Sequence, residues 1–172
     1  MSKSTIKSII IDVTIAVVIV LCITILIKPT IVKGESMDDT LHDGNYLIVN
    51  KMAYKTHSPE RGDIIVFDSD YDGGELLIKR VIGIGGDEIT TDGKVVYVNG
   101  EQIKEPYIQA DTQGDGESNT WTVPEGSIFA MGDNRDVSAD SRMTEVGFVD
   151  EADILGKVAV RLFPFNQIGG VE

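Results

Sequence analysis

Cysteine is nearly absent from this chain. Its 172 residues include only one, Cys22, so no disulfide can form within the chain, and the redox compartment stays undecided. Hydrophobic residues make up 42% of the sequence, which suffices for one sizeable core but hardly for two large domains at this length. We therefore expect one main domain with an appendage.

Basic residues are also scarce. The chain has 15 lysines and arginines against 28 aspartates and glutamates, and all but one of the acidic residues lie beyond Lys33. A domain this acidic is repelled by phosphate backbones and by anionic lipid. We expect no nucleic-acid partner.

One long hydrophobic run lies near the start of the chain. The stretch SIIIDVTIAVVIVLCITILI follows Lys7 and contains a single carboxylate, Asp12. As a helix it is long enough for a bilayer core of about 30 Å. A cleavable signal peptide is the alternative, but the residues that follow offer no small-x-small cleavage site. We predict an uncleaved transmembrane anchor over residues 8–28, with the lipid bilayer as a partner.

The lysines at the two ends of this anchor do not decide its orientation, because Lys3 and Lys7 on one side face Lys28 and Lys33 on the other. The acidic domain that follows is unsuited to nucleic acid and to anionic lipid surfaces. We therefore place residues 1–7 in the cytoplasm and residues 29–172 on the extracytoplasmic side of the cell membrane.

Short apolar or alternating runs, separated by glycine, aspartate and asparagine, recur through the rest of the chain. Such runs are typical of β-strands, and no stretch after Lys28 shows the 3.6-residue period of an amphipathic helix. Asp92-Gly93 and Asn99-Gly100 suit tight hairpin turns. We predict a mainly β fold, an antiparallel sheet or a closed barrel, with an exposed loop at residues 108–120. The predicted strands lie in NYLIVNK, GDIIVF, ELLIKRVIGI, KVVYVNG, SIFAMG and GKVAVRLF.

Ser36 lies in the segment GESMDDTL, shortly after the anchor. A serine hydroxyl is a good nucleophile at neutral pH only beside a base, which is usually histidine and sometimes a neutral lysine. The two histidines, His42 and His57, lie in turn-like stretches typical of solvated residues. Lys79 lies among apolar residues in the strand LLIKRVI, where loss of hydration lowers the pKa of an ammonium. The alternative is a lysine that extends along the strand to water.

Hydrogen-bonding side chains are concentrated in GDNRDVSADSR, residues 132–142. The composition is compatible with an ordinary loop rich in aspartate and asparagine. It is equally compatible with a network of Asp–Arg pairs that positions a catalytic group.

Two motifs for bound ions are incomplete. DSDYDGG, residues 68–74, matches the first half of a calcium loop, but Lys79 occupies the twelfth position, where a carboxylate is needed. GIGGDE, residues 83–88, lacks the lysine and the helix start of a phosphate loop. We expect neither a metal nor a cofactor.

The motifs GESMDDTL, RGDIIVF, IKRVIGIGGD and MGDNRDVSADSR occur in this order behind one N-terminal anchor. In this respect the chain resembles the type I signal peptidases, and it is most similar to the small Gram-positive form with a single anchor. The resemblance runs over nearly the whole chain, including VNGEQIKEPY and GFVDEADILGKVAVRLFPF. It implies an antiparallel β catalytic core related to that of self-cleaving repressors, and the removal of signal peptides from exported preproteins.

The resemblance also implies roles for individual residues. Ser36 matches the family's nucleophile, Lys79 its general base, and Ser138 the serine that orients the lysine. Cleavage after a small-x-small site, by way of an acyl-enzyme, is expected. Asp140 and Arg142 match a supporting ion pair, and Asp133 and Arg135 match two further structural residues. The resemblance also implies a substrate pocket near the cut, for whose residues ordinary core packing is the alternative. They are Val32, Met37, Leu41 and Ile78.

Two positions depart from the family pattern. Asp39 stands where the serine motif usually has proline, which removes a fixed φ angle close after Ser36. Gly34 stands where some relatives have a serine that supplies a second oxyanion donor. The three carboxylates around Ser36 would raise the pKa of Lys79 if they lay near it, so we expect an alkaline activity optimum.

Two other functions are compatible with parts of the sequence. A membrane-anchored β module that binds a partner and performs no chemistry would tolerate the loss of Ser36 or Lys79. A self-processing regulator would use the same Ser–Lys pair, but it would need a DNA-binding region and would have no use for the anchor.

Overall fold

Among the residues that it describes, the computed structural model shows one long α-helix followed by eleven β-strands and three single-turn 3-10 helices. Most of the chain is described, so nearly every expectation from the sequence can be compared with it. Asp39, Gly93 and most of the loop expected at 108–120 lie outside the described residues, which are 3–38, 40–92, 95–108 and 118–171.

The N-terminal helix, α1, spans Lys3–Leu26. Within it, the 22 residues Thr5–Leu26 are long and apolar enough to cross a membrane, since at 1.5 Å per residue they extend about 33 Å. The described side chains of this stretch are exposed instead of packing on the rest of the protein. The helix ends two residues before the predicted anchor does, because Ile27 and Lys28 already belong to the first strand.

The strands form two sheets in which every pairing among the described residues is antiparallel. They are β1 (Ile27–Ile31), β2 (Tyr46–Asn50), β3 (Ile64–Asp68), β4 (Leu76–Ile84), β5 (Glu88–Thr91), β6 (Val96–Val98), β7 (Glu101–Gln102), β8 (Asn119–Thr122), β9 (Ser127–Met131), β10 (Val149–Asp150) and β11 (Ile154–Phe163). The larger sheet has the order β1-β2-β11-β3-β4-β9-β10, and the smaller has the order β7-β6-β5-β8. The prediction of a mainly β, antiparallel fold is confirmed, and the sheets are open, not closed into a barrel.

All six runs that were predicted as strands form strands. The turn at Asn99-Gly100 is also present between β6 and β7, with φ angles of 55° and 81°. Of the other five strands, β5 and β7 lie next to the two predicted hairpin turns, and sequence reasoning missed β1, β8 and β10. The first two residues of β1 fall inside the predicted anchor, β8 begins inside the predicted loop, and β10 has only two residues.

A hydrophobic cluster fixes the segment between β1 and β2 on the larger sheet. Met37 and Leu41 of this segment are buried together with strand residues such as Val49, and each such side chain contributes about 1.5–3 kcal/mol on burial. Along β4 the side chains alternate, because Ile78 packs on this cluster and Leu77 packs on a second cluster. Through Ile78, β4 thus packs against the cluster beneath the segment that carries Ser36.

Gly156 in β11 lies where the fold leaves no room for a side chain. A Cβ there would lie 2.4 Å from the carbonyl oxygen of Asn50 and 2.9 Å from its carbonyl carbon. We expect Gly156→Ala to lower the free energy of unfolding by about 1–3 kcal/mol, seen as a lower Tm. Gly170→Ala is the control, because a Cβ there meets nothing within 4 Å. Equal Tm values for the two variants would contradict the prediction.

Candidate active site

Ser36 lies in a turn between β1 and β2, here called the Ser36 turn and comprising residues 34–42. The Leu41 N–H donates a hydrogen bond to the Met37 C=O at 2.8 Å, and both side chains are buried beneath the turn. Ser36 itself is half-buried. The turn is therefore anchored while the serine hydroxyl stays accessible.

Lys79 lies in the middle of β4, and its side chain reaches Ser36. The distance between Lys79 Nζ and Ser36 Oγ is 2.7 Å, and the lysine is only 2% exposed. The structure thus brings together the two residues that the sequence singled out as nucleophile and base, although they are 43 positions apart in the chain.

Burial lowers the pKa of Lys79 from its ordinary 10.5 to about 8, because the ammonium loses its hydration. Of the nearby charges, Asp140 raises the pKa, Arg142 lowers it and Asp133 raises it. The carboxylates that act on the lysine thus belong to residues 132–142 and not to the Ser36 turn. An amine with a pKa near 8 is partly neutral at physiological pH and can accept a proton from serine.

The segment 132–142 closes over the Ser36 turn. The Asn134 N–H donates to the Ser36 C=O at 3.1 Å. Gly132 permits this approach, because a Cβ at that position would lie 2.3 Å from the same carbonyl oxygen and 2.2 Å from Ser138 Oγ. A side chain at Gly132 would displace the backbone that carries Ser36.

Asp140 and Arg142 form the ion pair that the sequence predicted. Arg142 Nε donates to Asp140 Oδ1 at 2.8 Å and Nη2 donates to Oδ2 at 3.0 Å. The Gly132 N–H adds a third hydrogen bond to the carboxylate at 3.0 Å, and Arg142 also donates to the Arg135 C=O at 2.7 Å. A fully buried carboxylate needs this degree of pairing, and here the pairing fixes both ends of the segment.

Asp133 and Arg135 pair with residues outside the segment. Arg80 donates to Asp133 through Nε at 2.9 Å and through Nη2 at 2.8 Å. Arg135 pairs with Glu105. Sequence reasoning missed Arg80 and Glu105 as members of the site. Arg80 carried a usable signal, because an arginine inside an apolar strand is rarely buried without a carboxylate partner.

Two cavities meet at Ser36 and Lys79. The first, of about 300 Å³, lies between the end of β1 and the start of β4, and its walls include Val32, Met37 and Ile78. Leu41 lines neither of the two cavities and is fully buried in the cluster beneath the turn. The second cavity, of about 470 Å³, is lined in addition by Lys33, Gly34, Glu35, Asp43, Leu77, Val137 and Ala139.

The two histidines have other partners. His42 Nδ1 lies 2.8 Å from Asp38 Oδ1 at an exposed position, and His57 Nδ1 lies 3.4 Å from Thr56 Oγ1. Within the described ranges, no group of three or more histidine, cysteine or acidic residues is arranged to hold a metal ion. Lys79 is the basic group in contact with Ser36.

The chain matches the family described as signal peptidase, peptidase S26, over residues 3–163. The chain belongs to the signal peptidase family. It is 37% identical over 175 residues to signal peptidase IB of Staphylococcus aureus, covering 92% of this chain and 90% of that protein. It is 39% identical over 163 residues to signal peptidase I of Bacillus licheniformis, covering 90% and 87%. A solved structure of a signal peptidase I from Enterococcus faecalis V583 has a TM-score of 0.50 and 33% identity, covering 58% of this chain and 95% of that one.

Membership in the signal peptidase family confirms the resemblance found in the sequence motifs. It makes the chain a serine endopeptidase of the class that removes signal peptides. The alternative of an anchored β module without chemistry is not favoured.

Ser138 is the predicted site residue whose expected contact is not formed. Its Oγ is buried and has no hydrogen-bond partner within the described part of the chain, while Lys79 Nζ donates to Ser36. A buried hydroxyl without a partner costs about 1–3 kcal/mol, and the Lys79 amine, which is hydrogen-bonded to Ser36, does not relieve that cost. The role of Ser138 in orienting Lys79 stays a prediction.

The lowered pKa of Lys79 predicts how this signal peptidase responds to pH. As the expected general base, Lys79 must be neutral to accept a proton, so kcat/KM should rise with pH through about 8 and level off above that value. Asp140→Asn removes a charge that raises the pKa, so its midpoint should move to lower pH. Cleavage of a labelled preprotein between about pH 6 and 10 measures both profiles. Glu35→Gln is the control and should leave the midpoint unchanged; a wild-type plateau already reached at mildly acidic pH would contradict the prediction.

Proposed function

We propose that the chain is anchored in the cell membrane by α1 and cleaves exported preproteins, with Ser36 as nucleophile and Lys79 as general base. The observation that carries this proposal is the 2.7 Å contact between Ser36 Oγ and the buried Nζ of Lys79. A serine beside a desolvated lysine has the base that its hydroxyl needs.

The reaction begins with neutral Lys79. Its Nζ accepts the hydroxyl proton of Ser36 as Oγ attacks the scissile carbonyl carbon, and the backbone N–H of Ser36 stabilises the oxyanion that forms. The Lys79 ammonium then gives its proton to the leaving amine, and the acyl group remains as an ester on Ser36. A water molecule that gives a proton to neutral Lys79 hydrolyses the ester and restores the serine.

Gly34 does not supply a second oxyanion donor in this arrangement. It has no side chain, and its N–H already donates to Asp43 Oδ1 at 2.9 Å. Stabilisation of the oxyanion thus depends on the main chain at Ser36, whose position is fixed by the hydrogen bond from Asn134 to the Ser36 C=O.

The substrate lies extended in the cavity between β1 and β4 on its way to Ser36. β1 is the outer strand of the larger sheet, and residues Leu76–Lys79 of β4 pair with β3 but lie before the stretch that pairs with β9. Both strands therefore offer free backbone groups to an added strand. A cavity of about 300 Å³ with Val32, Met37 and Ile78 in its walls suits small apolar side chains one and three residues before the cut.

The anchor places the reaction near the membrane. Ser36 follows the end of α1 by ten residues, so even an extended connection reaches at most about 36 Å. A preprotein presents its cleavage site a few residues beyond its own apolar run. Tethering both partners to one bilayer raises their effective concentration.

Parallel cleavage assays in detergent or liposomes test the residue roles. We expect the wild type to cut a labelled preprotein after its small-x-small site. Ser36→Ala and Lys79→Ala should each lower kcat by at least about a thousandfold, because removing one member of a reacting pair removes most of its joint effect. Lys104→Ala changes an exposed lysine and should keep activity. Cleavage by Ser36→Ala at the wild-type rate would show that Ser36 is not the nucleophile.

Thiol labelling tests the orientation of the chain. Cys22 is the only cysteine, so a Cys22→Ser background leaves an introduced cysteine as the single thiol. A membrane-impermeant maleimide should label Lys104→Cys in intact cells, and should label Ser2→Cys only after lysis, because residues 29–172 lie outside the cytoplasm in our proposal. The reverse pattern would overturn the proposed topology.

A further inference from the structure

We propose that Arg161 and the C-terminal hook, defined as residues 162–171, hold the Ser36 turn in position for catalysis. The proposal rests on the proposed role of Ser36 as nucleophile. Arg161 contacts the turn that carries Ser36 and not the reacting atoms, so it is a positioning residue.

The Arg161 guanidinium joins three parts of the chain. Nη1 donates to the Thr40 C=O at 2.9 Å and to Asn45 Oδ1 at 3.3 Å. Nε donates to the Gln167 C=O at 3.0 Å. Thr40 belongs to the Ser36 turn and Gln167 to the C-terminal hook, so one rigid planar group fixes the turn relative to the hook.

Thr40 is held from two sides. Its carbonyl accepts the hydrogen bond from Arg161, and its hydroxyl donates to Asp133 Oδ2 at 2.5 Å. Asp133 is in turn paired with Arg80, the residue after Lys79 in β4. The Ser36 turn is thus fixed to the strand of the general base on one side and to the C-terminal hook on the other.

Asn45, another residue to which Arg161 donates a hydrogen bond, is itself hydrogen-bonded to residues before and after Ser36. The Val32 N–H donates to the Asn45 C=O at 2.9 Å, and the His42 N–H donates to the Asn45 side-chain oxygen at 3.3 Å. Arg161 donates to that same oxygen. Asn45 thus bonds to residues on both sides of Ser36, and the Arg161 guanidinium binds at this point.

The C-terminal hook is itself fixed to β11 and to the core. The Arg161 N–H donates to the Gly169 C=O at 2.9 Å, and the Gly169 N–H donates back to the Arg161 C=O at 3.1 Å. Val171 packs against the hydrophobic cluster beneath the Ser36 turn. These contacts keep the Gln167 C=O within hydrogen-bond distance of Arg161 Nε and so help to fix the orientation of the guanidinium.

Loss of this support should change geometry and not the protonation of the base. The pKa of Lys79 is lowered by burial, with contributions from Asp140, Arg142 and Asp133, and Arg161 is not among these causes. A displacement of the reacting group by about 1 Å can reduce the rate by about a hundredfold. The expected signature is a lower kcat with an unchanged pH midpoint.

The test compares cleavage of a labelled preprotein by full-length wild type, Arg161→Ala, Arg161→Lys and Arg61→Ala. Arg61 is the control, because it is another arginine whose guanidinium is held by hydrogen bonds, in its case to the carboxylate of Asp87 through Nε at 2.9 Å, but it makes no hydrogen bond to the described residues of the Ser36 turn. We expect Arg161→Ala to lower kcat by about ten- to a hundredfold, with KM changed by less than about twofold. Arg161→Lys should restore part of the loss, and Arg61→Ala should keep the wild-type kcat.

The Ser36→Ala variant distinguishes a failure of the proposed function from a failure of the positioning role of Arg161. If Ser36→Ala still cleaves, the proposed function fails. If Ser36→Ala is inactive while Arg161→Ala loses no more kcat than Arg61→Ala, or shows a shifted pH midpoint, the positioning role of Arg161 is overturned.

A second pair of variants loosens the C-terminal hook without changing Arg161, and decides the matter if Arg161→Ala does not fold. Gly169→Pro removes the N–H that binds the Arg161 C=O. Gly169→Ala keeps it, and a Cβ there meets nothing within 4 Å. We expect the proline variant to lower kcat severalfold and the alanine variant to match the wild type; equal kcat values would overturn the proposal.

Discussion

The proposed catalysis depends on keeping the Lys79 amine out of water beside Ser36. A buried ammonium is costly, and a directly bound carboxylate would relieve that cost but would raise the pKa and abolish the base. The structure gives Lys79 a neutral partner instead, the Ser36 hydroxyl at 2.7 Å. The two carboxylates that raise its pKa are each engaged by an arginine, Asp140 by Arg142 and Asp133 by Arg80. In the proposed mechanism the ion pairs of the site therefore keep Lys79 able to act as a base, in addition to holding the fold.

Three distant stretches must meet for this arrangement, and β4 is the element that joins them. Adjacent residues of this strand contact different stretches: Lys79 contacts Ser36, while Arg80 binds Asp133 of the segment 132–142. Asp133 in turn accepts a hydrogen bond from the hydroxyl of Thr40 in the Ser36 turn. A displacement of one stretch is thus transmitted to the other two.

The sequence predicted the chemistry better than the architecture around it. Strand periods and turn residues located most strands. The strand pattern made Lys79 a candidate base and left a solvated lysine as the alternative, and the resemblance to signal peptidases singled Lys79 out. The partners Arg80–Asp133 and Arg135–Glu105 were not predictable, because they join residues 53 and 30 positions apart and depend on how strands and loops pack. β1 was missed because its first two residues, Ile27 and Lys28, fall inside the predicted anchor.

Leu41 shows a second limit of reasoning from sequence. An apolar residue near a nucleophile is equally compatible with a pocket wall and with the core beneath it, because both positions remove it from water. In the structure Val32, Met37 and Ile78 line the cavity and Leu41 lies behind them. Only the three-dimensional arrangement separates these two kinds of burial.

The contacts that hold the Ser36 turn also differ from what the family motif suggests. A proline at position 39 would restrict φ locally, but this chain has Asp39 there. The next residue, Thr40, is instead held by Asp133 and Arg161, which lie 93 and 121 positions away. Two hydrogen bonds to charged side chains, each contributing about 1.5–3 kcal/mol, hold the turn where a backbone restriction is missing. The position of the turn therefore depends on contacts that exist only in the completed fold, and in our proposal the Ser36 hydroxyl stays beside Lys79 only when the C-terminal residues are also in place.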